Sequence, residues 1–409
     1  ATRIDRAGLI VKGRENLLLY SNDFSNAAWS TSPITLTSGQ SGYDGSNDAW
    51  EAEVAVNGNY QSLIQATNTS GLITNSIYAK AGNSNFLGIT DSGGSGGSNC
   101  IFDLTDGSIS YQNGGDFIET SSESIGNGWY RLKVTHQGTS PNYALWFVAD
   151  ASNSTQGTAG DSVFIQDAQQ ESSLVASPYI ESGATNGTAG VLENTPRLNY
   201  TTGVANPYLL LEPSRTNLLV QSEYFSDWTS NGSTLEVNST ISPEGVQNAY
   251  KITDDTSTSR HGIFKINNGL TSNVSTTFSF FVKQGTSGQY AQCSFNSNVA
   301  DYWVAAIIDL SNGIIVNTDS SINATYEDSG VEEFSNGWYR ITLTGKFAQT
   351  EYHTKILLSN TSNPTRDAFG NIIYTGDGVR NIYTYGAQLE QGSYPTSYIP
   401  TYSVSATRA

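Results

Sequence analysis

The chain has 409 residues and no methionine, only two cysteines and three histidines, and its charged residues make up 14% of the whole, well under the usual quarter. Cys100 and Cys293 fall at unlike places, which excludes a disulfide framework and leaves two buried thiols acting as small hydrophobes. His136, His261 and His353 show no zinc-ligand spacing. With no nucleophile-elbow pattern either, the sequence predicts no enzyme. No run of about twenty apolar residues occurs, so no membrane-spanning helix is expected, and no signal-peptide pattern is visible. Nineteen Lys and Arg face 37 Asp and Glu, a formal net charge of −18. That field repels phosphate backbones and anionic lipid, so neither nucleic-acid binding nor membrane insertion is expected. The missing methionine, absent even at position 1, predicts a processed start or a piece of something longer.

In place of charge stand Ser, Thr, Asn and 40 glycines, with 23 tyrosines among the 11% of aromatic residues. This is the balance of a loop-rich, all-β protein. It is too aromatic to stay disordered.

The chain repeats itself. Asn16-Leu17-Leu18 with Phe24 and Trp29 returns as Asn217-Leu218-Leu219 with Phe225 and Trp228. Ser76-Ile77-Tyr78-Ala79-Lys80 matches Ser279-Phe280-Phe281-Val282-Lys283, and Asn127-Gly128-Trp129-Tyr130-Arg131 recurs unchanged as Asn336-Gly337-Trp338-Tyr339-Arg340. Ala168-Gln169-Gln170-Glu171 with Pro178-Tyr179-Ile180 recurs as Ala387-Gln388-Leu389-Glu390 with Ser397-Tyr398-Ile399. Such collinear matches define two copies of one unit.

Within each copy the residues alternate. Tyr339, Ile341 and Leu343 share one face, as do Tyr130, Leu132 and Val134, with Arg, Thr and Lys on the other. Asp106-Gly107 and Asn312-Gly313 separate strand-like runs and predict hairpins. The fold class expected is therefore all-β, two tandem antiparallel β-sandwich (jelly-roll) modules joined by an extended linker. The divisions are an arm over 1–13, module one over 14–182, a linker over 183–215, module two over 216–401, and over 402–409 a tail or the start of a further unit, since Ala406-Thr407-Arg408 echoes Ala1-Thr2-Arg3.

Two resemblances go with these residues. Asn-Leu-Leu near a module start, the following Phe and Trp, and the late strand Val163-Phe164-Ile165-Gln166-Asp167-Ala168 resemble carbohydrate-binding modules of families 4, 9 and 22, which are jelly rolls. The run from Leu209 to Leu219, the Asn-Gly-Trp-Tyr-Arg segments, and Gly386-Ala387-Gln388-Leu389-Glu390 with Pro395 to Thr401 are similar to segments of structural fibre or spike proteins of marine and cyanobacterial phages. The first resemblance implies a structural calcium in module one, with Asp23 and Asp167 at comparable places. Ser25 and Ser226 stand where a further acid is expected, and Gly386 replaces the late Asp in module two.

Flat aromatic faces stack on sugar rings while polar side chains meet the hydroxyls. Aromatics found in one copy only are the candidates for such a glycan site: Trp146, Trp303, Tyr43 and Tyr143. If Tyr302, Val304, Ala306 and Ile308 face the core, Trp303 points away from it. The leading expectation is a phage virion surface fibre or adhesin segment meeting host surface glycans, placed on the virion surface beside other virion proteins and assembled as a homo-oligomer. One alternative is a purely architectural capsid or tail decoration or spacer protein without a ligand. Another is the carbohydrate-binding portion of a secreted bacterial protein.

Overall fold

The computed structural model describes residues 2–59, 61–67, 69, 71–91, 99–114, 117–138, 142–147, 156–192, 195–201 and 204–408. The chain divides into two compact units. One is Arg14–Gly190, and the other joins Ala1–Gly13 to Val191–Ala409. We call them the insert and the host, because the host chain leaves at Gly13 and resumes at Val191. Those two residues abut, so closely that a β-carbon on Gly13 would lie 2.6 Å from the Val191 carbonyl oxygen. The N-terminal arm over 1–13 and residues 191–215 of the linker thus belong to one compact unit with the second repeat, while 183–190 belong to the insert.

Twelve strands build the insert sandwich: β1 (Ser30–Ser32), β2 (Ile34–Gln40), β3 (Ala49–Val54), β4 (Ser62–Ala66), β5 (Gly71–Ala81), β6 (Phe86–Asp91), β7 (Asn99–Asp103), β8 (Ile109–Asn113), β9 (Phe117–Gly126), β10 (Trp129–Gly138), β11 (Asn142–Phe147) and β12 (Ser162–Glu171). The host sandwich follows with β13 (Thr229–Asn231), β14 (Ser233–Ile241), β15 (Gln247–Asp254), β16 (Gly262–Asn267), β17 (Thr276–Gln284), β18 (Tyr290–Asn296), β19 (Trp303–Asp309), β20 (Ile314–Ser320), β21 (Ala324–Phe334), β22 (Trp338–Phe347), β23 (Tyr352–Ser359) and β24 (Asn381–Gln391). Each unit pairs two six-stranded sheets, β1-β4-β11-β6-β7-β8 with β2-β3-β12-β5-β10-β9 in the insert, and β13-β16-β23-β18-β19-β20 with β14-β15-β24-β17-β22-β21 in the host. Adding twelve to every insert label gives the host order. All the neighbours pair antiparallel. Among the described residues no helix is long and apolar enough to cross a membrane.

The inner faces carry the apolar residues of the period-2 pattern. Ile77, Ala79, Leu132, Val134, Val163 and Ile165 meet Leu63, Leu87, Ile89, Phe102 and Leu145 in the insert core, with Cys100 packed among them. Cys293 is likewise buried and free in the host. The hairpin glycines are doubly required: Gly107 and Gly313 have φ of 78° and 64°, and a β-carbon there would run into the Tyr130 or Tyr339 ring. Those two tyrosines are half-buried, and Tyr130 packs against the insert core on the face that the alternation predicts.

The polar letters of the repeat also have a structural cause. The Asn16 amide donates to the carbonyls of Ala168 and Ile180 (3.1 and 2.9 Å), and Asn217 donates in the same way to Ala387 and Ile399 (3.0 and 2.8 Å). Gln169 donates to Glu171 and accepts from the Ile180 amide, as Gln388 does with Glu390 and Ile399. These buried amides satisfy the loop that returns after the last strand, which apolar side chains could not do. The loop then leads back to the module's start: Gly187–Ala189 pairs with Arg14–Asn16, and Ala406–Arg408 with Arg215–Asn217.

Candidate ligand-binding face

In both units the sheet containing the Asn-Gly-Trp-Tyr-Arg strand presents its outer face as two rows of side chains. In the insert, register places Phe164, Lys80 and Trp129 abreast across β12, β5 and β10. The next row is Gln166, Tyr78, Arg131 and, on β9, Glu123. The host repeats both, with Tyr383, Lys283 and Trp338, then Tyr385, Phe281, Arg340 and Glu332. Recurrence of Trp and Arg two positions apart follows from this shared face, since residues i and i+2 of a strand point the same way.

On the insert the face is half-open. Tyr43, from the turn between β2 and β3, lies flat on Tyr78 with ring centroids 3.8 Å apart and 6° between planes. The half-buried rings of Tyr43, Phe164 and Tyr179 gather around the buried Tyr78 and Trp129. Polar groups converge beside them. The Tyr43 hydroxyl donates to Asp167 (2.9 Å), its backbone N–H donates to Gln166 Oε1 (3.1 Å), and the Gln166 amide donates to Asp48 (2.7 Å). Ser46 donates to Asp44 (2.6 Å) at the exposed rim. Burial pushes the Asp167 carboxyl up to about 6, with the nearby Asp48 charge acting in the same sense. Burial, followed by the Asp167 charge, holds the Tyr43 hydroxyl well above its ordinary range. An aromatic patch edged by carboxylates and a carboxamide can stack on a ring and hydrogen-bond its hydroxyls.

On the host the same face is closed by the chain's own first residues. The Ile10 amide donates to the Pro243 carbonyl (2.9 Å) and its side chain packs with Phe281, Phe334, Trp338, Tyr385 and Tyr398. Lys12 is 3% exposed and sits between Glu223 (2.7 Å) and Glu244 (2.9 Å), whose side chains are 0% and 1% exposed. The hydroxyls of Tyr385 and Tyr398 also donate to Glu223 (2.9 and 3.2 Å). In the aligned turn Tyr43 of the insert stands where the host has Pro243, and it covers Tyr78 as Ile10 covers Phe281.

The chain matches no family model and no curated protein. Among solved structures, the tandem CBM22 pair at the N-terminus of Xyn10C from Paenibacillus barcinonensis is similar at 11% identity and a TM-score of 0.28, over 94% of this chain and 99% of that one.

The residues singled out from sequence meet different fates. Tyr43 and Asp167 come together on the insert face. Tyr143 is a correction: it is fully buried on β11, its hydroxyl donating to the Ser76 carbonyl (3.0 Å) and its ring edge-on to Trp29. Trp303 is a second. It does point away from the sandwich core, but it is only 7% exposed. The segment over 360–373 covers it, with Gly370 against the ring and the Arg366 guanidinium 5.8 Å from its centroid. Lys355 fastens that segment through the Phe369 carbonyl (3.0 Å) and Asn371 (2.6 Å). The Trp146 side chain lies outside the described residues, and its backbone belongs to β11.

The calcium expectation does not fit. Asp23 accepts from Ser25 (2.8 Å), Asp167 is a buried carboxyl engaged by Tyr43, and the described residues contain no group of three acids, His or Cys placed to hold a metal. Calcium needs six to eight oxygens. Asp167 occupies a bulge with φ of 56°, the place of Gly386 at 54° in the host. Because its folded pKa is raised from 3.8, the fold is favoured below that value and loses stability as pH rises toward about 6. Asp167→Asn, which tolerates the positive φ, is expected to be about 3 kcal/mol more stable than the parent at about pH 7 and equal to it at about pH 3. Thermal melts across that range check this; an unchanged pH slope would refute it.

What sequence reasoning missed is the rest of the face: Tyr78, Phe164, Gln166, Tyr179, Asp44 and Asp48. A search restricted to aromatics of one copy passes over Tyr78, Phe164 and Tyr179, whose host counterparts Phe281, Tyr383 and Tyr398 are aromatic too. The available signal was the i, i+2 spacing of Trp129 and Arg131, which already puts them on the face opposite Leu132 and Val134.

Proposed function

We propose that the chain is a segment of a phage virion surface fibre or spike, without catalytic activity, whose insert unit binds host surface glycans on the Tyr43 face. The observation that carries this reading is the Tyr43–Tyr78 stack beside Phe164 and Tyr179, bordered by Asp44, Asp48 and Gln166. A half-exposed ring fixed by hydrogen bonds at both its hydroxyl and its backbone is preorganised, so little rotamer freedom is lost on binding. The sequence resemblance to phage fibre proteins and the acidic, uncharged-polar surface favour the virion setting, with other virion proteins and further copies of the chain as neighbours.

A second reading, an architectural role, is favoured for the host by its self-covered face, where Ile10 and Lys12 occupy the ground that the insert leaves to Tyr43.

Glycan-array binding by the full chain tests the proposal. Tyr43→Ala and Phe164→Ala are expected to weaken retention about tenfold or more, the scale of one lost aromatic contact. Trp303→Ala, under its covering segment, leaves binding unchanged. An array silent for the parent protein, or binding indifferent to both face variants, overturns it.

A further inference from the structure

The host has a half-open pocket of about 180 Å³ under its N-terminal segment, walled by Arg3, Ile4 and Ile10 on one side and by Phe281, Glu332 and Arg340 of the sheet on the other. We propose that this cavity binds one small organic carboxylate, held by the guanidinium groups of Arg340 and Arg3.

Arg340 is 6% exposed and lies over the Phe281 ring at 5.6 Å. One terminal nitrogen donates to Ser279 (2.9 Å), and its Nε, buried, has no partner. A guanidinium offers five donors, so most of its capacity is unspent. The equivalent Arg131 of the insert bonds Ser76 and in addition the Ser177 carbonyl (2.5 Å), a contact for which Arg340 has no counterpart. Arg3 also carries a buried Nε without a partner, and its terminal nitrogen reaches only the Leu198 carbonyl, at 3.5 Å. A buried and a half-buried donor-only group, each with a buried Nε lacking an acceptor, face one space and call for an acceptor-only occupant.

The local charge agrees. Glu332 stands across from Arg340 on the neighbouring strand, at an exposed position. Glu212, the other acid of the wall, is already held by Arg197 (2.9 Å) and Arg408 (3.0 Å). Four of the chain's 19 basic residues therefore converge here, in a protein of net charge −18. A planar carboxylate matches the fork of an arginine edge in a way that a spherical ion does not. The apolar wall of Ile4, Ile10, Phe281 and Phe334 adds a place for a carbon skeleton. The volume equals about six waters, room for a single sugar acid, free or at the end of a chain that leaves through the open side. The Tyr208 hydroxyl at the rim accepts from Asn199 (2.7 Å) and retains its own proton to give.

This site is separate from the Tyr43 face and stands or falls without it. The test is calorimetric titration of the full chain with glucuronate, with glucose as the uncharged counterpart, and with a disaccharide ending in glucuronate. Glucuronate should bind saturably and glucose should not. Arg340→Lys, which keeps the charge and loses the fork, and Arg3→Gln, on the covering segment, should each weaken binding about tenfold or more. Binding of the free acid alone identifies a diffusible ligand, and binding of both acids identifies the end residue of a glycan; either supports the proposal. Absence of glucuronate binding, equal binding of glucose, or indifference to Arg3→Gln in a folded variant overturns it.

Discussion

Lys12→Ala is expected to destabilise the host unit by about 3–5 kcal/mol, because it strands two carboxylates that have no water to fall back on. Glu223 and Glu244 are essentially inaccessible, and Lys12 is the cation between them. The unit can limit the damage only by releasing the first twelve residues or by taking up protons. Chemical denaturation should show the lower midpoint, and limited proteolysis should show cleavage near Lys12 well before global unfolding. Combining Lys12→Met with Glu223→Gln and Glu244→Gln removes all three charges and should restore most of the loss. A Lys12→Ala protein as stable as its parent would mean that the triad is not desolvated in solution.

Trp338→Ala should cost a comparable amount, about 3–5 kcal/mol. The side chain is 0% exposed, packs with Phe281, Phe334 and Ile10, and gives its indole N–H to the Ile241 carbonyl (3.0 Å). Truncation therefore opens a cavity and orphans an acceptor together. Trp338→Phe keeps part of the volume and should lose only about 1–2 kcal/mol. Guanidinium unfolding midpoints distinguish the two variants. Equal losses for Phe and Ala would show that the hydrogen bond, not the packing, dominates at this position.

The two predictions bear on opposite ends of what can be read from a linear chain. Strand alternation is a local property, so Leu132 and Val134 or Ile341 and Leu343 could be assigned to a core directly, and the copy number followed from recurring letters. Hairpin glycines were legible for the same reason. Trp303 shows where locality stops. Period-2 spacing tells which side of a strand a residue is on, and says nothing about what covers that side. The covering run Ser362-Asn363-Pro364-Thr365-Arg366-Asp367 is polar and aperiodic, and gives no sign that it lies on an indole. Tyr143 differs: Ser140, Pro141 and Asn142 just before it are turn-forming residues, while pairing with Asp91 and Gln65 makes it strand. The Lys12–Glu223 contact joins residues 211 apart and has no local signature at all.

The nearness of Gly13 to Val191 has a consequence for how the host is put together. The 177 residues of Arg14–Gly190 depart from the host chain and rejoin it at nearly the same point, so a short bridge between those two positions would leave the host's own chain continuous without them.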